Sequence, residues 1–118
     1  MSSISGNSIQ NCEDSAIYLQ DSTHITIQDN ALVEIVDGIY SGNTTSLVVS
    51  NNTIGYASSD GFGLESSAFS SINGNLIQNC GDNAIALWDS SHITVTDNTL
   101  VDSILGVWSN NATSLAIR

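Results

Sequence analysis

The sequence contains no proline, a single Lys or Arg (Arg118), only two cysteines and no apolar run of membrane-spanning length. Each shortage excludes something. With Arg118 set against twelve acidic side chains, the formal charge of -11 repels nucleic acid and anionic membrane surfaces, so neither nucleic acid binding nor membrane insertion is expected. The opening residues, Met1 to Asn7, show neither a basic leader nor an apolar core, so no secretory signal is visible. Charged residues amount to 11%, and Ser, Thr, Asn and Gly fill much of the remainder, which is poor helix material but suits turns and short strands. What is plentiful is aliphatic: 41% hydrophobic residues in 118 suffice for one folded domain, 1–118.

The chain repeats itself. Aligned on Asn7, Asn30, Asn52, Asn75 and Asn98, it divides into about five units of roughly 22 to 23 residues, shorter than any common all-helical repeat. A longer period lies over this one, because residues 2 to 50 match residues 70 to 118 without a gap at roughly 28 of 49 positions. Three units read as one duplicated block. Within a unit, short segments such as Ala16 to Gln20 and His24 to Gln28 alternate apolar and polar residues with period two, the mark of strands buried on one face.

Three strands fit each unit. Their inward residues are expected to form three aliphatic columns: Ile9, Leu32, Ile54, Ile77 and Leu100; Ile17, Ile39, Phe62, Ile85 and Val107; and Ile25, Leu47, Ile72, Ile93 and Leu115. One coil alone is too thin to bury its apolar side, so parallel stacking of coils supplies the core. The fold class expected is all-β, a right-handed parallel β-helix of about five coils with three short strands per coil. The recurring asparagines suit a tight turn and a ladder of side-chain amides bonded from coil to coil. Cys12 and Cys80 fall three coils apart, about 14 Å at the usual strand spacing, too far for a disulfide.

The elements Asp29-Asn30-x-Leu32, Asp37-Gly38-Ile39 and Ser46-Leu47-x-Val49 resemble the parallel β-helix repeat (PbH1) of pectate-lyase-like proteins, and the resemblance covers nearly the whole chain. It speaks for fold more than for activity, since that family includes lyases, hydrolases, epimerases, phage tailspikes and binding proteins. Such proteins are commonly extracellular or at the cell surface, which the resemblance implies here. Both ends stop in mid-coil without a polar cap, which points to a piece of a longer solenoid or to end-to-end stacking of copies.

The resemblance places polysaccharide on the outer face of the second strand of each coil. Outward positions there read Tyr18, Tyr40, Gly63, Ala86 and Trp108, with Gln20, Gly42, Glu65, Trp88 and Asn110 two residues on. Tyr18, Tyr40, Trp88 and Trp108 therefore gather on one face, where rings stack on sugars or simply serve as good strand residues. One turn upstream, Asp14, Asp37, Asp60 and Asp82 recur at nearly the same point of their coils, bordered across the strand by Asp21 and Asp89. Such a column would share a hard cation such as Ca²⁺, or consist of solvated turn aspartates bonding their own backbone. His24 and His92, about 14 Å apart, cannot share a metal.

Catalytic equipment is sparse. The lyases it resembles need a basic residue, and Arg118 is the only Lys or Arg; the Asp-Pro-His signature of the epimerases cannot occur without proline. Asp37-Gly38 and Asp60-Gly61 resemble the Asp-Gly element of polygalacturonases, without the companion motifs. Three functions follow. The first is a surface β-helix segment that scaffolds or binds carbohydrate and is not catalytic on its own; the others are part of a polysaccharide hydrolase or lyase completed elsewhere, and a purely structural adhesin or tailspike stalk.

Overall fold

A computed structural model describes residues 1–118. Strand β1 (Ser2–Ser5) leads into a first coil of β2 (Ser8–Gln10), β3 (Ile17–Gln20) and β4 (Ile25–Gln28), followed by a second of β5 (Ala31–Ile35), β6 (Ile39–Gly42) and β7 (Val48–Ser50). The third coil holds β8 (Thr53–Ala57), β9 (Phe62–Glu65) and β10 (Ala68–Asn73); the fourth holds β11 (Leu76–Gln78), β12 (Asn83–Trp88) and β13 (Ser91–Thr96). Strands β14 (Thr99–Val101), β15 (Leu105–Asn110) and β16 (Thr113–Ile117) complete the fifth. There is no helix. Equivalent strands of successive coils pair in parallel and build three sheets, ordered β2-β5-β8-β11-β14, β3-β6-β9-β12-β15 and β1-β4-β7-β10-β13-β16.

The alternating pattern produces this architecture because each strand can bury only one face, and only the neighbouring coils offer a partner for it. In the first sheet Ile9, Leu32, Ile54, Ile77 and Leu100 stand in register, and in the second Ile17, Ile39, Phe62, Ile85 and Val107 do. Burial is complete in the middle coils and partial in the outer ones, where Ile9, Leu100 and Val107 pack against the core.

The third sheet departs from the expected column. Ile72 pairs with Val49 and Val95, whereas the partner of Ile93, in the Leu47 row, is Ser70. A strand with period two has two inward positions, and the hydrophobic pattern alone does not say which one a given isoleucine fills. Ser70 is tolerated inside because its Oγ accepts from the Leu47 N–H at 3.3 Å and donates to the Ala68 carbonyl at 3.1 Å.

Asparagine bonds run along the solenoid. The backbone N–H and Nδ2 of Asn52 both donate to Oδ1 of Asn75, at 2.9 and 3.0 Å, and Asn75 bonds Asn98 in the same way. Turn residues carry the duplication into the backbone. Left-handed φ values at Asn11, Asp21, His24, Asp29, Glu34, Asn43 and Ser46 recur at Asn79, Asp89, His92, Asp97, Asp102, Asn111 and Ser114. Asn and Asp tolerate that region best, and so the composition is rich in residues that make corners.

Candidate functional site

The second sheet displays the aromatic residues. Tyr18, Tyr40, Gly63, Ala86 and Trp108 occupy one outward row, each beside the next in register, and Trp88 stands two residues beyond Ala86. Tyr18 and Tyr40 stack, with ring centroids 5.3 Å apart and an interplanar angle of 16°. Trp88 and Trp108 meet at 5.4 Å with an angle of 58°. The two pairs flank Gly63, where a Cβ would lie 3.3 Å from Trp88 Cζ3 and 3.5 Å from Tyr40 Cδ2. One aromatic stripe thus crosses the coils. Gly63 and Ala86 face outward yet are fully covered. Trp88 leans across the coil boundary over Gly63, which puts an indole where neither small residue supplies a side chain.

The acidic residues do not form the single column expected. Asp37 accepts from the Asp60 N–H at 3.2 Å, and Asp60 Oδ1 accepts from the Asn83 N–H at 3.0 Å and from its Nδ2 at 3.1 Å, so this row runs Asp37, Asp60, Asn83. Asp14 and Asp82 belong to the neighbouring row, linked through backbone bonds from Val36 to Asp14, Ser59 to Val36, and Asp82 to Ser59. The cause is an offset of one residue from the inward column: Asp14 and Asp82 lie three residues before Ile17 and Ile85, whereas Asp37 and Asp60 lie two before Ile39 and Phe62. No three His, Cys, Asp or Glu side chains come together closely enough to hold a metal ion. On the far side of the strand, Asp21 and Asp89 accept from Nδ2 of Asn43 and Asn111, at 2.6 and 2.8 Å.

The glycines of Asp37-Gly38 and Asp60-Gly61 are explained by packing. A Cβ on Gly38 would fall 2.3 Å from the Gly61 carbonyl oxygen, and one on Gly61 would fall 2.4 Å from Ile77 Cγ2, so close approach of coils requires both. Cys12 and Cys80 are free thiols. His24 is exposed, and His92 stacks on Phe69 at 4.6 Å, away from the aromatic stripe.

Two clefts open on the second-sheet face. One, of about 260 Å³, is lined by Asp60, Asp82, Asn83, Trp88, Leu105 and Trp108. Burial pushes the Asp60 carboxyl above its usual range, against the lowering effect of the Asn83 donors, and the nearby charges of Asp82 and Asp37 push the same way. The Asn83 Oδ1, by contrast, is buried without a partner. The other cleft, of about 190 Å³, is polar and lies around Tyr40, Gly42, Asn43 and Glu65. There the Tyr40 hydroxyl donates to Glu65 Oε2, which together with burial raises the phenol to about 12. Asn83 and Leu105 escape a reading that looks for recurrent residue types, since Asn83 stands where the earlier coils carry Asp; the constant spacing of 23 residues from Asp37 to Asp60 to Asn83 would find it.

A family model described as "Right handed beta helix region" matches residues 1–100. No curated protein matches the chain by sequence. Among solved structures, the chain is similar to a candidate glycosyl hydrolase from Parabacteroides merdae ATCC 43184, with a TM-score of 0.61 and 8% identity over 96% of this chain and 77% of that one. It is also similar to the enzymatically active domain of Bacteriophage CBA120 tailspike protein 2, with a TM-score of 0.49 and 13% identity over 98% of this chain and 26% of that one. At such identities the likeness is one of fold.

Proposed function

We propose that this chain, which belongs to the right-handed β-helix family, binds carbohydrate on the outer face of its second sheet and is not catalytic on its own. The observation that carries the reading is the stripe of two aromatic pairs, Tyr18 with Tyr40 and Trp88 with Trp108, on one face, whose tryptophans line a cleft together with carboxylate and amide groups. Indole and phenol faces stack on the apolar faces of sugars while neighbouring acceptors take hydroxyl donors, and a rigid parallel sheet holds both at fixed spacing. A surface or extracellular location suits this role, as does the glycosyl hydrolase description of the Parabacteroides protein that shares the fold. The ligand is a neutral or cationic glycan rather than a polyuronate, because the -11 charge repels anions.

A glycan array probed with the intact chain tests this reading. Trp88→Ala and Trp108→Ala are each expected to weaken a hit by about 1 to 3 kcal/mol. Hits that survive the double variant unchanged would remove the stripe from binding, and an array without hits would leave a structural solenoid.

One observation favours a second reading, part of a hydrolase. A desolvated carboxyl, Asp60, shares its cleft with an exposed one, Asp82, and pairs of carboxyls in unlike environments serve as acid and base in glycoside hydrolysis. Release of reducing ends from a bound glycan, abolished by Asp60→Asn, would establish it.

A further inference from the structure

We propose that the two clefts of the second-sheet face are the two ends of one site, which takes a neutral, extended β-1,4-linked oligosaccharide lying obliquely across the coils. The inference rests on the carbohydrate reading above and adds the length, shape and course of its ligand. It starts from an offset. The cleft of Trp88, Leu105 and Trp108 belongs to the third, fourth and fifth coils and reaches back to residues that precede their second-sheet strands, Asp60 and Asp82. The cleft of Gln20, Tyr40 and Glu65 belongs to the first three coils and extends past the strand ends to Asn43 and Ser66. Their centres are thus displaced by about two coils along the solenoid and about four residues along the strands, about 16 Å in all, which an extended chain of about four pyranose rings covers.

What lies between the clefts is low and aromatic. Trp88 walls one cleft and Tyr40 the other, and the two rings flank Gly63, which has no side chain to stand between them. Ala86, next to it in register, is covered as well, so the middle of the strands puts no charge in the path. The two ends differ in a way that a sugar chain can use. At one, indole faces and the exposed Leu105 receive the apolar face of a ring; at the other, exposed Gln20, Asn43 and Ser66 offer amide and hydroxyl groups that both donate and accept. Carboxylates stand at both ends, Asp82 and Glu65, with no Lys or Arg lining either cleft, so a uronate is repelled from each. Because the course over the sheet is straight, it suits the diequatorial links of a β-1,4 chain, whereas α-1,4 links curl a glucose chain over the same distance. An oligomer too short to span the clefts occupies one of them, and one that spans both makes its second contact at high effective concentration. The dependence of affinity on length is therefore a step and not a slope.

The test titrates the intact chain by calorimetry with β-1,4-linked oligomers of glucose and of N-acetylglucosamine, from dimer to hexamer, and with the α-1,4-linked glucose hexamer. Affinity in one of the β-linked series is expected to rise at least about tenfold between trimer and pentamer, with one oligomer bound per chain, and the α-linked hexamer should show no such gain. Gln20→Ala combined with Glu65→Ala strips two side chains from the polar cleft and should cancel the gain. Gln10→Ala combined with Glu13→Ala, the same two residue types exposed on the first sheet and the turn after it, should not. Should Glu65→Ala lower the melting temperature by releasing Tyr40, Gln20→Ala alone carries the same expectation. Affinity that grows evenly with length, a step that survives the loss of Gln20 and Glu65, or a gain lost equally in the control variant would overturn the bridged site and keep the carbohydrate face. An equal gain for the α-linked hexamer would overturn the extended ligand. Binding at no length would overturn this proposal alone, since the glycan array decides the carbohydrate reading on its own.

Discussion

Asn30 donates two hydrogen bonds to one atom: its backbone N–H and its side-chain Nδ2 both meet Oδ1 of Asn52, each at 3.0 Å. Because Asn52 treats Asn75 in the same way, every inner asparagine is at once donor and acceptor, and its remaining Nδ2 hydrogen closes the preceding corner, as Asn52 does at the Ile27 carbonyl. The corner between the third and first sheets is thereby satisfied without water, which explains how a polar side chain sits there fully buried.

Removing one member should expose that dependence. Asn52→Ala leaves the Asn30 donors, the Ile27 carbonyl and Asn75 Oδ1 each short of a partner in a buried place, and a cost of about 3 kcal/mol or more is expected in urea unfolding. Asn7→Ala, at the exposed start of the series, should cost less than about 1 kcal/mol. Equal losses at the two positions would show that the interior bonds contribute nothing beyond those at the surface.

The aliphatic core offers a second measurement. Ile85 is fully buried between Phe62 and Val107 in neighbouring coils, and neither neighbour can collapse into the space it would leave without disturbing its own strand. Ile85→Ala is expected to cost about 2 to 5 kcal/mol. A loss below about 1 kcal/mol would mean that the coils relax around the missing methyl groups.

Legibility in the sequence followed exact recurrence. The asparagine row and the first two inward columns repeat one residue type or volume at a fixed place, so alignment alone puts Ile39 beside Ile17 and Phe62. Where a residue type recurs one position off, an alignment by type slips, which is why Asp14 and Asp82, three residues before Ile17 and Ile85, fall into a different row from Asp37 and Asp60, two before Ile39 and Phe62. Ile72 and Ser70 illustrate a second limit, since both lie on the inward side of one strand and alternation cannot rank them. Covering of Ala86 and Gly63 by rings was out of reach for a third reason. It depends on the direction in which the Trp88 side chain leans, which spacing does not encode.

Asp60 makes stability depend on pH. Its folded-state proton affinity is raised above the ordinary value of 3.8, chiefly by burial, so the folded chain holds a proton that the unfolded chain releases as pH climbs past that value. Stability should therefore fall as pH rises through the window between the ordinary and the raised value. Asp60→Asn retains an oxygen to accept the Asn83 bonds and removes the charge. It is expected to raise Tm near neutral pH, with the gain vanishing below the ordinary carboxylate range. A Tm gain independent of pH would separate the effect from ionisation.

Tyr40 provides an optical readout of the polar cleft. Its phenol, bonded to the Glu65 carboxylate and partly desolvated, is raised from 10.0 to about 12. The folded chain thus keeps this proton between those values while the unfolded chain loses it, and Tm should decline as pH rises across the interval. Glu65→Gln removes the anion that holds the proton, so ultraviolet titration should show the Tyr40 transition moving down toward 10.0. An unchanged transition would assign the shift to burial instead.

The aromatic stripe admits a test that removes no ring. Gly63→Ala places a methyl group 3.3 Å from Trp88 Cζ3 and 3.5 Å from Tyr40 Cδ2, a tight contact that pushes the Trp88 indole aside by a few tenths of an ångström. The backbone at Gly63 is not in the left-handed region, so alanine adds no backbone strain there, and the indole, partly exposed, has room to move. Stability is therefore expected to stay within about 0.5 kcal/mol of the parent, since the new group touches rings and not the core. Stacking depends on geometry more than on the presence of rings, so glycan affinity should fall and tryptophan fluorescence should shift, even though all four aromatic residues remain. Unchanged affinity together with a shifted fluorescence spectrum would show that Trp88 moves freely during binding and would confine the sugar contact to Trp108.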